Sequence, residues 1–408
     1  MSIGKISLFA QAVKVIDRKI FNAAVDRHGA EKGAKGFKCW TQFLAMMFAQ
    51  FAGAKSLREI TGGLAVHLGK VYHLGMRRPP SRSSLSYANA HRSWRVFEDV
   101  FYSVYEQARN FAEVKGRKFK FKNPLVSLDA TVIELCAEVF DWAHYRRAKG
   151  AVKLHMALDH QGCLPCWALV TEGREHEINA ARRLRFEPGT IVAVDRGYFD
   201  FALFGAWCEA GVFFVTRLKK KTAYRVIKKL SVPKGVANIL SDEIIELTGQ
   251  KSDQCPYRLR RVVVWDVENE REIVLLTNHL AFAASTVSRI YKDRWQIENF
   301  FKALKQNLHI RTFVGTSENA VQIQIWTALI SMLLLKMLEM RSRAGWSLSH
   351  MAAMFRICLM NHTDLAEWLA DPYRYSREVI ESEENSLFAN ISDSMKVGQV
   401  MNPVNLRV

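Results

Sequence analysis

The chain is short of most features that would mark a secreted or membrane-bound protein. Its seven cysteines, Cys39, Cys136, Cys163, Cys166, Cys208, Cys255 and Cys358, are odd in number and scattered over 408 residues, which excludes a disulfide framework. Cys163 and Cys166 make one C-x-x-C, but no second pair stands at zinc-finger spacing, so they are read as reduced strand and turn residues. Long apolar runs are missing too: Ile325 to Leu335 contains Thr327 and Ser331 and stops at Lys336, too short to span a bilayer. The apolar stretch after Lys5 is interrupted by Gln11 and Lys14 and fails as a signal peptide. A cytoplasmic protein with no membrane partner is expected. Carboxylates are also scarce, 40 Asp and Glu against 58 Lys and Arg, a formal charge of +18. That excess suits a polyanionic partner, nucleic acid above all, and a nucleoid-associated location.

Apolar residues make up 49% and charged residues 24%, which excludes simple disorder. The length suits two or three domains, each with its own core. From Cys39 to about Phe111 apolar residues recur at helical spacing. Ser56 with Glu59 reads as a capping box opening a helix to His67, and Pro79-Pro80 leads into Ser81, Ser83 and Ser84, any of which can cap the next helix. With Arg77, Arg78, Arg82, Arg92 and Arg95 about that second helix, residues 1–113 are expected to be a helical DNA-binding region of helix-turn-helix type. The run VKGRKFKFK, Val114 to Lys122, reads as a basic linker entering a strand, with Lys118 and Lys120 placed to track a DNA backbone.

After Pro124 the period shortens. Leu125–Leu135, Ala151–Leu158 and Cys163–Val170 read as strands, then a helix over Glu177–Leu184, a strand over Thr190–Val194, a helix over Phe201–Ala210 and a strand over Val212–Arg217. This predicts an α/β domain with a mixed sheet. Residues 114–217 form its first part. A β-rich insertion follows over 218–280, with strands at Glu243–Leu247, Tyr257–Asp266 and Glu272–Thr277. The catalytic domain resumes over 281–345, helical to about Leu308 and again from Asn319 to Met340, before a C-terminal helical and tail region, 346–408.

Three carboxylates stand where an α/β sheet places reactive groups. Asp129 lies inside the strand SLDATVIEL, Asp195 closes TIVAVD at the carboxyl end of a buried strand, and Glu298 lies in YKDRWQIENFFKALK. At 100° per residue that last segment gathers Tyr291, Arg294, Glu298, Lys302 and Lys305 into one arc, beside an apolar arc of Ile297, Phe300, Phe301 and Leu304. Taken singly, Asp129 is equally a capping or edge-strand residue, Asp195 equally an N-cap or turn residue, and Glu298 with Lys302 an ordinary i,i+4 pair. Together, acidic residues in a basic protein suggest two Mg²⁺ or Mn²⁺ ions held by Asp129, Asp195 and Glu298, with Arg294 and Lys305 on the phosphate oxygens. His155, a lone strand histidine, is read as structural.

The LDAT strand, the VDRGY block and YKDRWQIENFFKALK resemble the bacterial insertion-sequence transposases with an Asp-Asp-Glu site on an RNase H-like fold, in particular the insertion sequence four group. Tyr291, Arg294, Glu298 and Lys305 match that group's Tyr-x2-Arg-x3-Glu-x6-Lys pattern. The stretch CWTQFLAMMFAQFAGAKSLREI with SRSSLSYANAHRSW is similar to the helical leader of some members. The resemblance implies a homodimeric cut-and-paste enzyme that nicks the transposon's terminal inverted repeats, turns the 3′-hydroxyl on the opposite strand, often through a hairpin, and joins the end to target DNA. The group's stacking Trp stands just before a Leu-Leu-Thr strand; here Leu275, Leu276 and Thr277 follow Ile273 and Val274, and the nearest Trp, Trp265, is expected in the core. Two other readings stay open: a metal-dependent nuclease of the same fold that does not join, and a catalytically inactive DNA-binding repressor.

Overall fold

A computed structural model of the chain describes residues 6–373, apart from 35, 115–117, 136–139, 141, 143, 147–148, 233–237, 309 and 311. Most of the expected C-terminal tail therefore lies outside the described residues. Seven helices come first: α1 (Leu8–Val13), α2 (Arg18–Arg27), α3 (Cys39–Ala52), α4 (Leu57–Val66), α5 (Leu68–Val71), α6 (Arg82–His91) and α7 (Arg95–Val114). The capping box forms as expected, with Ser56 Oγ accepting from the Glu59 N–H at 3.2 Å and Glu59 reaching back to the Lys55 N–H at 3.0 Å. Ser81 caps α6 in the same way. The simple helix-turn-helix does not survive: α5 and a short 3₁₀ turn, Tyr72–Leu74, stand between α4 and α6.

The sheet that follows is built from β1 (Leu125–Leu135), β2 (His144–Arg146), β3 (Lys149–Asp159), β4 (Leu164–Glu172), β5 (Ile191–Val194), β6 (Phe213–Arg217), β7 (Tyr224–Lys229), β8 (Ile239–Leu247), β9 (Leu259–Asp266) and β10 (Arg271–Thr277). Its order is β2-β3-β1-β5-β6-β10-β9-β8-β7, with β4 also pairing β3. β1, β5 and β6 are parallel neighbours, while β3 is antiparallel to β1. The β-rich insertion is thus no separate sheet. Its strands run out as an antiparallel meander and return through β10, which pairs β6. A buried ion pair ties it down: Arg260 holds Asp242 at 2.6 Å with both side chains 5% exposed or less, and donates to the Phe282 and Leu280 carbonyls ahead of the next helix.

Helices cover both faces. α8 (Glu177–Arg183) and α9 (Phe201–Glu209) lie over Val126, Leu128, Val192 and Val194. α9 approaches the turn at Gln254 so closely that a Cβ on Gly205 would lie 2.0 Å from the Gln254 carbonyl oxygen, so only glycine fits. On the other face α10 (Ala284–Asp293) covers Leu125, Ile191 and Ala193, and α11 (Trp295–Asn307) contacts β1. α12 (Glu318–Arg341), α13 (Leu348–Cys358) and α14 (Leu365–Ala370) complete the described chain.

α12 decides the domain organisation. It is apolar around its whole circumference, and such a helix must be enclosed. The run expected to end at Lys336 belongs to a 24-residue helix, long and apolar enough to cross a membrane, yet 94% of its most apolar stretch is buried in protein. α3, α7 and α13 enclose it, and its buried hydroxyls donate within the helix, Thr327 to the Ile323 carbonyl at 2.6 Å and Ser331 to the Thr327 carbonyl at 2.9 Å. One continuous core therefore joins the N-terminal helices with α11–α13 and β3. The first 113 residues do not close a core of their own: their apolar faces are shared with the C-terminal helices.

Candidate active site

Asp129 and Asp195 arrive together by strand register. The last paired rung between parallel β1 and β5 is Leu128 with Val194, and the next residue on each is an aspartate. Asp129 stands on a central strand, not an edge, and its Oδ1 accepts the Ala130 N–H at 2.8 Å. Asp195 ends β5, and its Oδ1 accepts the Gly197 N–H at 2.6 Å, capping a one-turn 3₁₀ helix; the cap of α9 is Asp200. Gly197 matters sterically, since a Cβ there would lie 2.8 Å from Asp195 Oδ1 and 3.0 Å from Glu177 Oε2. The VDRGY glycine thus leaves room for two carboxylates side by side.

Glu298 comes from the opposite direction, on the first turn of α11. The expected single helix breaks into α10 and α11 at Arg294, which is 8% exposed. Arg294 Nη2 meets Glu298 Oε1 at 2.6 Å and Nη1 lies 3.7 Å from Asp129 Oδ2, so one guanidinium spans two of the three carboxylates. Burial pushes the Asp129 carboxyl up to about 7; the Ala130 N–H and Arg294 oppose this, and the charges of Asp195 and Glu298 add to it. Under the same carboxylates lies Tyr198, wholly buried, its hydroxyl without a hydrogen-bond partner. Burial, then the nearby Asp129, Glu177 and Asp195, holds its phenol well above the ordinary value.

The cations expected on DNA divide into two sets. Arg82, Lys120 and Lys302 are exposed. The others are engaged within the chain: Lys305 Nζ donates to the Val132 carbonyl at 3.0 Å, Arg92 donates to the Phe37 carbonyl and, at 3.3 Å, to Gln42, and Lys118, though itself exposed, pairs with Asp293. Tyr291 is half-buried, its ring 5.6 Å from the Arg294 guanidinium. His155 is buried beside Thr171 at 3.0 Å, and burial lowers its pKa to about 4, in keeping with a structural residue. Trp265 departs from expectation: at 38% exposed it is not in the core but lines a cleft with Tyr291, Arg294 and the exposed Trp295. Sequence reasoning also passed over Glu177, Tyr198, His160 and Asp293. Two of these stand inside the quoted VDRGY and YKDRW blocks, where each could have been weighed as a buried polar residue.

Over residues 120–334, more than half of its length, the sequence matches the transposase DDE domain. This chain belongs to that transposase family. Residues 5–77 of the transposase match a second family, a domain of unknown function. Among curated relatives, it is 29% identical over 290 residues to a Sinorhizobium fredii protein named as the transposase y4zB, spanning 70% of this chain and 80% of that one. It is 31% identical over 223 residues to a Geobacillus stearothermophilus protein named as the transposase of insertion sequence element IS5377, 54% of this chain and 58% of that one. It is 23% identical over 298 residues to a Synechocystis protein named for insertion sequence element IS4SA, 71% and 81%. A piggyBac transposase solved as a synaptic complex with hairpin DNA aligns over 92% of this chain and 85% of that one at 11% identity, with a TM-score of 0.41, too distant to carry weight.

Proposed function

We propose that this transposase cleaves the ends of its insertion sequence by metal-dependent phosphoryl transfer and joins them to target DNA, with Asp129, Asp195 and Glu298 as the catalytic carboxylates. The observation that carries the reading is the register of β1 and β5, which sets Asp129 beside Asp195, with Glu298 facing Asp129 across Arg294. The β4-β3-β1-β5-β6 order, with β3 antiparallel and helices on both faces, supports the RNase H-like assignment.

Among the described residues no three His, Cys, Asp or Glu side chains close on one point as a preformed ion cage. The donor set nevertheless suits hard cations. All three groups offer oxygen, and the mutual repulsion that helps raise the Asp129 carboxyl is what a divalent ion would relieve. Asp129, Asp195 and Glu298 would hold the two ions, which when bound would activate the attacking oxygen and steady the leaving one. The chain's own part is to hold Asp129 and Asp195 side by side, to present Glu298 from α11, and to free Arg294 from its carboxylates for a phosphate oxygen. Arg82, Lys120 and Lys302 supply exposed charge for the terminal repeats and the target. A homodimer brings two ends together. In a hairpin step, Trp265 and Trp295 offer exposed rings in the cleft beside Arg294.

The test is an end-labelled duplex carrying the element's terminal repeat, incubated with target plasmid and Mg²⁺. Nicks followed by labelled plasmid are expected. Nicks without joining would make the protein a nuclease, and tight binding without nicks a repressor.

A further inference from the structure

Behind the carboxylates runs a chain of buried hydrogen bonds that the proposed chemistry does not use. Ser127 lies two residues before Asp129, on the same face of β1, and is wholly buried. Its Oγ meets His160 Nε2 at 2.6 Å, and His160 Nδ1 meets Asp293 Oδ2 at 2.8 Å. The His160 and Asp293 side chains are 4% and 8% exposed. Asp293 accepts further from Lys118 and, at 2.7 Å, from Gln296 Nε2, and Gln296 Oε1 accepts from Cys163. The three elements linked are β1, the end of β3 and the junction of α10 with α11.

The order Ser–His–Asp matches that of a hydrolytic triad, but Ser127 sits inside the central strand with no exposed surface, so no substrate carbonyl can reach it. The linkage holds elements instead. The ring is held at both nitrogens, Nδ1 by the Asp293 carboxylate and Nε2 by the Ser127 hydroxyl, which fixes the ring plane. One end of the relay is therefore two residues from Asp129, and the other is one residue from Arg294 and five from Glu298. Apolar packing of Ile297 and Phe301 would tolerate a shift of α11 along β1; two directed hydrogen bonds to a single ring do not.

We propose that Ser127, His160 and Asp293 act as positioning residues that set how far the Glu298 helix stands from the Asp129 strand. This rests on the reading of Asp129 and Glu298 as catalytic partners. Neither Ser127 nor His160 touches DNA or the reacting atoms in this role.

The test uses the full chain and the labelled terminal-repeat duplex, with four measurements: end binding, single-turnover nicking, Mn²⁺ affinity by calorimetry without DNA, and melting temperature. His160→Ala and Asp293→Ala should slow nicking at least tenfold and weaken Mn²⁺ binding several-fold, with end binding changed less than twofold. Asp293→Asn, which can still accept from Nδ1–H, should recover most of both. Ser127→Ala combined with Asp293→Ala should be no slower than the worse single variant, since the residues act as one chain. Ile245→Ala in β8 serves as a packing control that lowers the melting temperature while sparing nicking and Mn²⁺ binding. The relay is overturned if nicking in its variants falls only as far as in Ile245→Ala at matched loss of stability, or if the double variant is additive. A wild-type protein that neither nicks nor binds Mn²⁺ overturns the functional reading first, and the relay with it.

Discussion

α12 and the α10–α11 pair are consecutive in the chain and built on opposite terms. α12 is enclosed largely by apolar side chains, and the polar residues it buries, Gln322, Gln324, Thr327 and Ser331, are all uncharged; Thr327 and Ser331 donate within the helix and Gln324 bonds the backbone of Thr312 and Val314. α10 and α11 also pack apolar faces, but at their junction they bury Asp293 and Arg294, each at 8% exposure. Apolar burial stabilises almost irrespective of direction, whereas a buried charge costs stability unless its partners are placed in advance. The contrast teaches where to look for chemistry: the junction keeps costly groups that the neighbouring helix shows to be unnecessary for packing.

The contrast breaks most visibly at Glu298. Alanine at Asp129, Asp195 or Glu298 should slow single-turnover nicking about a thousandfold or more, a barrier increase of roughly 4 kcal/mol, with end binding kept within a few-fold. Near-normal nicking by Glu298→Ala would reduce α11 to a packing helix like α12. Conversely, Trp326→Ala in α12 should destabilise the protein by about 3–5 kcal/mol in urea unfolding, because the indole is 1% exposed and packs on Trp94, Phe101 and Tyr102. A loss below about 1 kcal/mol would mean the core closes around the gap.

A subtler difference concerns pH. The Asp129 carboxyl rises from 3.8 to about 7, so the native state holds its proton more tightly than the unfolded chain does. Its contribution to stability is complete below about pH 4 and is lost as pH rises towards 7. In chelator, Asp129→Asn should therefore be more stable than wild type at pH 8, by at most about 4 kcal/mol, with the gap closing towards pH 4. A gap that ignores pH would place the carboxyl in ordinary solvent. Smallest of all, Ser56→Ala should cost about 1 kcal/mol through its lost cap and leave nicking unchanged; slowed nicking would tie α4 to the chemistry.

Period-two patterning placed β1 to its exact ends and the other interior strands to within a few residues, because their apolar faces are buried by helices. β7 escaped notice for the converse reason: as the sheet's edge it carries Arg225, Lys228 and Lys229 and exposes Val226 and Ile227, so no buried face writes a pattern. Asp195 stood out at a strand end and Glu298 in a spaced motif, whereas Asp129, in mid-strand, showed only as a charge among apolar neighbours. Their bonding could not be read, since charge alone does not say whether Arg294, Lys305 or Lys118 faces solvent or an internal acceptor. The core that the N-terminal helices share with α12 was not legible, because such burial leaves no mark in the local sequence of either partner.

That shared burial limits how the gene could be reshuffled. Cutting after α7 would strip α12 of its cover and leave two sticky fragments, so exchange of the leading helices between related elements would have to carry the distant α12 along, and these two segments are constrained to change together.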